Sequence, residues 1–419
     1  MTTATRLGGA GRVLGDGEVA DFVAEQLAGL DADGRSVCVL VPDGTRVCPL
    51  PLLVGAVHRA LHGRVSRLTV LIALGTHGAM SDEALATHLG YAGRDLWDVY
   101  PGTEVRNHEW WKPSTFANLG TIPAARIEEL SEGRMTGDVE VLLNRAVVDH
   151  DIALVVGPVL PHEVVGMSGG NKYFFPGVAG EKIIDVSHWL GALITSAEII
   201  GTTGLTPVRA LINDGAALIP AACYAFSVVT SQDGPSLHSI SFGDCVSSWA
   251  SAAEVSAATH ITHLDAPVPR VLSLVPAMYD EIWTGAKGFY KVEPVVADGG
   301  EVILYAPHIL QIAASHPQIH EIGYHCRDYF VKQWDAFKHV HWGVLAHSTH
   351  LRGAGTYDAA TGEERLRVDV TLATGIPEEV CRAVNLGYRD PATIDLAAFE
   401  ADPDTLVVHR AGEVLYRLR

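Results

Sequence analysis

The sequence predicts an α/β protein built as two α/β domains with mostly parallel sheets and an active-site cleft between them. Three observations carry that expectation. The apolar runs SVCVLV, LTVLIAL and IALVV each stop abruptly in a polar or glycine-containing loop, and helical patterns follow them. A continuous apolar run suits a strand covered on both faces, and strands alternating with helices suit a parallel sheet. A chain of 419 residues with 42 glycines also exceeds one ordinary core and has ample material for tight strand-to-helix turns.

In order along the chain, Ser36–Val41 runs into PDGTR and a helix over Val47–Gly63. Leu68–Leu74 runs into GTHG and a helix over Ser81–Leu89, and Ile152–Val156 runs into GPVLPHE. The segment DAPVPR at Asp265–Arg270, with two prolines, reads as a linker, dividing the chain into domains 1–265 and 266–419. A second βαβ pattern follows: Val271–Val275, a helix through Tyr279–Val296, then Glu301–Ala306. No internal repeat or low-complexity tract is present.

The formal charge of −19 repels phosphate backbones and anionic membrane surfaces, so neither nucleic acid nor a membrane is an expected partner. An anionic substrate would need placed Arg or Lys residues. The opening stretch lacks the long apolar core of a signal peptide, and runs such as Ile152–Val156 are far too short to span a bilayer. Six cysteines are scattered without a CxxC pair, as expected of buried free thiols in a cytoplasmic protein.

Ligands of open parallel sheets sit at the carboxyl ends of the strands, where three polar signatures fall. Asp43 or Thr45 of DGTR has a plain reading as a helix N-cap, and the lone histidine of GTHG a plain reading as structural. The third signature, PHEVVGMSGGNKYFFPG at Pro161–Gly177, is sharper: Lys172 follows paired glycines whose backbone N–H groups suit an anion nest. Its amine can neutralise a phosphate or carry a covalent bond. The P-loop pattern GxxxxGK[ST] is absent. His188 lies sixteen residues further on without an HxxxH or HExxH partner, which argues against a zinc site made of protein groups alone. HVHWGVLAHSTH at His339–His350 invites a chelating HxH strand, set against a structural or cleft-lining role.

Several functions remain open on these residues. Lys172 suits a Schiff base to pyridoxal phosphate, His339, His341, His347 and His350 suit a metallohydrolase, and a non-catalytic protein that binds a cofactor or sugar acid needs neither.

Taken together, PDGTR, LGTH, PHEVVGMSGGNKYFFPG, the spaced His188, TPVR at Thr206–Arg209, AKGFYKVEPVV and GGEVILYAP resemble the lactate racemase family, in register over about residues 36–306. The resemblance implies a nickel-pincer nucleotide (pyridinium-3,5-bisthiocarboxylic acid mononucleotide nickel) attached covalently at Lys172, with His188 ligating the nickel, and partners that synthesise that cofactor. It implies domain 1–265 as the cofactor-binding catalytic part and 266–419 as the part that closes the cleft. His77 and His162 would be acid–base groups on either side of C2 of a 2-hydroxy acid. Asp43 would orient His77, and Arg46 and Lys287 would clamp the substrate's carboxylate or carbonyl oxygen. C2 would invert by hydride transfer to and from the cofactor. Lactate racemases carry Gln three residues before the lysine matching Lys287, with Tyr before it; here Thr284 and Trp283 stand there. That change in the substrate wall leads to the expectation of a larger, polyhydroxylated acid, an aldonate such as gluconate, with lactate or mere binding as the alternatives.

Overall fold

The computed structural model describes residues 3–314 and 316–419. The chain forms two compact units. The first comprises Met1–Leu160, Met167–Ser187 and Thr203–Thr259, and the second Pro161–Gly166, His188–Thr202 and His260–Arg419. The sequence predicts a single division at 265; here two short segments, 161–166 and 188–202, belong with the later part of the chain.

The first unit holds a seven-stranded sheet in the order Thr5–Gly8, Leu237–Asp244, Ala222–Thr230, Ile152–Pro158, Ser36–Pro42, Arg67–Ala73, Thr103–Asn107. The last five are parallel to one another, and the first two are added antiparallel. Every residue of Ile152–Pro158 is buried, and in Ser36–Pro42 all but Ser36, as a strand covered on both faces requires. The helices Asp16–Ala28 and Leu50–Leu61 supply Val19, Val23, Leu53 and Val57 to the core on one face. The second helix is shorter than its apolar pattern, because Pro49 and Pro51 delay its start. The helix Asp82–Leu89 begins where Ser81 accepts the backbone N–H of Ala84, a conventional N-cap.

Register sets the functional edge. Pro42 pairs with Ala73, and the same central strand pairs with Ile152–Pro158 on its other side. The chain leaves Ser36–Pro42 toward one side of the sheet, while Ile152–Pro158 begins the other side. Loops diverge there, and such a switch point opens a crevice at the carboxyl ends.

The second unit has a five-stranded, wholly parallel sheet, ordered Gly387–Tyr388, Val368–Thr374, Val296–Ala306, Val268–Leu274, Thr405–Val408. Both sheets are mainly parallel, so the predicted α/β class holds. One helix does not. Tyr279–Val296 is broken into Ile282–Gly285, Lys287–Tyr290 and a 3-10 turn at Glu293–Val295. Gly285 and Gly288 lie against Ile309, Leu304 and Val275, and Pro294 removes a helical donor. The HxH strand is also corrected: His339 lies in a turn and His341 caps the helix Trp342–Arg352, which carries His347 and His350.

All six cysteines are free, with Cys38, Cys245, Cys326 and Cys381 buried and the other two half-buried. Among the described residues no helix is long and apolar enough to cross a membrane.

Candidate active site

At the carboxyl edge of the first sheet, Asp43 directly follows Pro42 and is buried, whereas His77 projects from the next loop with its side chain 51% exposed. Asp43 Oδ2 is 2.6 Å from Nδ1 of His77. Its Oδ1 accepts from the backbone N–H of Thr45 at 3.1 Å and from the Thr45 hydroxyl at 2.6 Å. Burial raises the Asp43 pKa, but the bond and charge of His77, then Thr45 and Arg46, outweigh it and hold the carboxylate down at about 2. A carboxylate can only accept, so Nδ1 of His77 carries the proton and Nε2 of the neutral ring presents a lone pair. The indole of Trp110 donates to the His77 carbonyl at 2.9 Å and steadies that loop.

The third loop reaches the same edge. Gly75 N–H donates to the Gly177 carbonyl at 2.8 Å. Lys172 lies on the short 3-10 turn Gly170–Tyr173, reached through Gly169 at φ 83° and Gly170 at φ 58°. A Cβ on Gly170 would stand 2.8 Å from both the Cys245 carbonyl and Trp249 Cβ, so no other residue fits. Tyr173, beside Lys172, packs on the strand end so closely that a Cβ on Gly157 would lie 1.9 Å from its hydroxyl. There Tyr173 feels Cys48, Arg46 and Asp43, although burial is what chiefly pushes its pKa up.

Sequence alone assigns no role to Arg209 of TPVR. Its guanidinium is buried and donates to the Gly169 carbonyl at 2.9 Å and to the Met167 carbonyl. It lies 4.2 Å from the Trp249 ring, and Trp249 Nε1 donates to the Ser168 carbonyl at 2.9 Å. Burial lowers its pKa to about 9, which still leaves it charged at neutral pH. Three carbonyls of the Met167–Gly169 stretch are thereby tied down. The signal available in the sequence is a lone arginine just inside a helix whose N-cap is Thr206.

The remaining site residues fall in the second unit. His162 is buried; its Nδ1 accepts from Val164 N–H at 3.1 Å and lies 3.6 Å from Glu163 Oε2. A backbone N–H and a carboxylate therefore both face Nδ1, and Nε2 is the ring's other nitrogen. Burial opposes ionisation of Glu163, but His162, Lys287 and Lys291 outweigh it and hold its pKa well below the carboxylate range. Lys291 Nζ donates to the Pro161 carbonyl at 3.0 Å and Gly201 N–H to the Gly166 carbonyl at 2.8 Å, which fastens the His162 segment to this unit.

His188 is half-buried on the helix Glu181–Ile194, close enough to His350 to influence its charge. Lys287 Nζ lies 5.7 Å from the centre of the Tyr279 ring. Trp283 is stacked between His316 and His347, each 3.8 Å away between ring centres. The Thr284 hydroxyl donates to the Glu281 carbonyl at 3.2 Å. Asp43, Arg46, His77 and Lys172 therefore belong to the first unit, and His162, His188, Trp283, Thr284 and Lys287 to the second.

The fold is that of an α/β protein with two mainly parallel sheets, and Asp43, His77 and Lys172 sit on loops at the strand ends of the first. Residues 22–201 match the family model described as lactate racemase N-terminal domain. A lactate racemase of Lactiplantibacillus plantarum is 22% identical over 288 residues, 68% of this chain, and the match spans 62% of that relative's length. One from Thermoanaerobacterium thermosaccharolyticum is 23% identical over 168 residues, 39% of this chain and 34% of the relative. A crystal structure of a Thermotoga maritima protein superposes with a TM-score of 0.88 at 32% identity, covering 99% of this chain and 100% of that one. The lactate racemase apoprotein from T. thermosaccharolyticum gives 0.70 at 16% identity, again over 99% and 100%. Residues 22–201 thus match the lactate racemase N-terminal domain, and the chain is a distant homologue of lactate racemases.

Proposed function

We propose that the protein inverts C2 of a 2-hydroxy acid, as a racemase or epimerase working with a nickel-pincer nucleotide. The observation that carries this reading is the Asp43–His77 pair at the switch point, 2.6 Å apart and flanked by the rigid turn bearing Lys172. The donor set fits such a cofactor: an amine on a two-glycine turn for covalent attachment at Lys172, and an imidazole at His188 for nickel, which accepts nitrogen and soft sulfur donors. When bound, the group supplies a reversible two-electron acceptor for the substrate.

The chain's own residues handle protons and position. His77, with a lone pair on Nε2, takes the substrate hydroxyl proton, and Asp43 stabilises the imidazolium that results. His162, as the imidazolium beside the Glu163 carboxylate, gives a proton to the oxygen when the acid reforms and is left neutral. Reversal of both roles serves the other configuration. Arg46 suits a bidentate grip on the carboxylate, and Lys287 adds a second positive charge. Trp283 and Thr284, which stand where lactate racemases carry Tyr and Gln, support a larger, polyhydroxylated acid such as gluconate as the substrate. Cofactor-biosynthesis proteins would load the site, in the cytoplasm.

Protein from a cofactor-producing cell tests this. Peptide mass spectrometry should find an adduct on the peptide containing Lys172, with nickel in the intact protein, and Lys172→Ala should lose adduct and C2 inversion together. An adduct that survives the substitution sinks the assignment.

A further inference from the structure

The second unit holds buried polar atoms that no described residue satisfies. His347, His350 and Tyr324 are 9%, 3% and 0% exposed, and His347 Nδ1, His350 Nε2 and Tyr324 Oη have no hydrogen-bond partner among the described residues. Leaving such groups unpaired is unfavourable, so their joint presence asks for a ligand. They form one cluster. His347 and His350 sit three residues apart on the helix Trp342–Arg352 and so share a face. The Tyr324 ring is 5.7 Å from that of His347, and the Tyr290 ring is 5.9 Å from that of His350.

The chemistry of one atom is set by its neighbour. His347 Nε2 lies 2.9 Å from the Trp283 carbonyl. A carbonyl only accepts, so Nε2 carries the proton and Nδ1 is an acceptor. Burial, set against the Trp283 bond, lowers the His347 pKa to about 3, consistent with a neutral ring. An acceptor-only atom pairs with a hydroxyl and not with a carboxylate or carbonyl. His350 Nδ1 is 2.8 Å from the Ser196 hydroxyl, leaving its Nε2 for the ligand. The cluster also adjoins the residues already assigned: His347 stacks on Trp283 and feels Lys287, and His350 feels Glu163 and His188.

We infer that His347, His350 and Tyr324 form a subsite that recognises the distal hydroxyl groups of a polyhydroxylated 2-hydroxy acid, an inference that rests on the reading under Proposed function. A site built to pair hydroxyls discriminates strongly against an acid lacking them, because its polar atoms are then left unpaired. His347→Phe keeps the stacked ring and removes the acceptor. Tyr324→Phe removes an unpaired buried hydroxyl, so it should leave thermal stability unchanged or raise it.

The test measures kcat/KM of cofactor-loaded wild type, His347→Phe and Tyr324→Phe on D-gluconate and on L-lactate. Each variant should lose about 10–100-fold on gluconate while lactate changes by less than about threefold. Equal losses on the two acids, or no loss on gluconate in both variants, would overturn the subsite alone. If wild type inverts neither acid nor any other 2-hydroxy acid, the functional reading falls and the subsite falls with it. Should His347→Phe fail to fold, the loss or retention of gluconate activity in Tyr324→Phe decides the matter.

Discussion

Asp43 Oδ2 and His77 Nδ1 are 2.6 Å apart, although 34 residues separate them, because their strands are adjacent, parallel and in register at their carboxyl ends. The carboxylate fixes which nitrogen of the ring faces outward with a lone pair. Asp43→Asn keeps the shape but lets its amide donate, which favours the wrong tautomer. It should reduce the C2 inversion rate on the order of 10²–10⁴-fold, as should His77→Ala. Circular dichroism of both variants should stay that of wild type, with thermal midpoints lowered by only a few degrees; a comparable loss of secondary structure would mean that the pair is structural.

The two shifted carboxylates set the acid limb of stability. Asp43 has a folded pKa near 2, and Glu163 is held well below the ordinary value. An unfolded carboxylate titrates near 4, so both contribute stability above about pH 4 and lose it as pH falls through their folded values. For Asp43, lowered from 3.8 to about 2, that contribution is about 2 kcal/mol. Denaturant midpoints taken from pH 6 to pH 3 should fall, and fall less steeply in Asp43→Asn. An unchanged slope would show that the Asp43–His77 interaction contributes nothing net.

Arg209 holds the lysine turn rather than the substrate. Arg209→Met leaves the Met167 and Gly169 carbonyls without their buried donor. At about 1–3 kcal/mol for each unsatisfied group, the variant should be less stable by roughly 2–4 kcal/mol after relaxation. Urea denaturation measures this, and the extent of the Lys172 adduct should fall with it. A variant of wild-type stability that carries a full adduct would show that Arg209 does not clamp the turn.

Much of the first sheet was legible because its strands are read by one rule. SVCVLV, LTVLIAL and IALVV are apolar but for Ser36 and Thr69 since both faces are covered, and the polar residues that end them mark the edge where Asp43 and His77 meet. The surroundings of His162 were not legible: its Nδ1 meets the N–H of Val164 two residues on, a matter of loop geometry without a pattern. The helix expected over Tyr279–Val296 failed because Gly285, Gly288 and Pro294 outweigh an otherwise helical spacing. HVH looked like a strand because alternation over three residues is too short to distinguish it from the turn that starts Trp342–Arg352. Arg209 escaped notice because its partners are backbone carbonyls 40 and 42 residues away, which side-chain identity does not reveal.

The central claim is that His77 and His162 move only the hydroxyl proton while the hydrogen on C2 leaves and returns with its electron pair. One measurement tests it most directly: cofactor-loaded protein is given a single enantiomer of lactate and, separately, D-gluconate in D2O, and the inverted product is examined by chiral chromatography and proton NMR. Inverted acid should form and keep protium at C2, because only the O–H proton exchanges with solvent through the histidines. Deuterium at C2 from the first turnovers, or no inversion of any 2-hydroxy acid by protein carrying nickel, would contradict that claim.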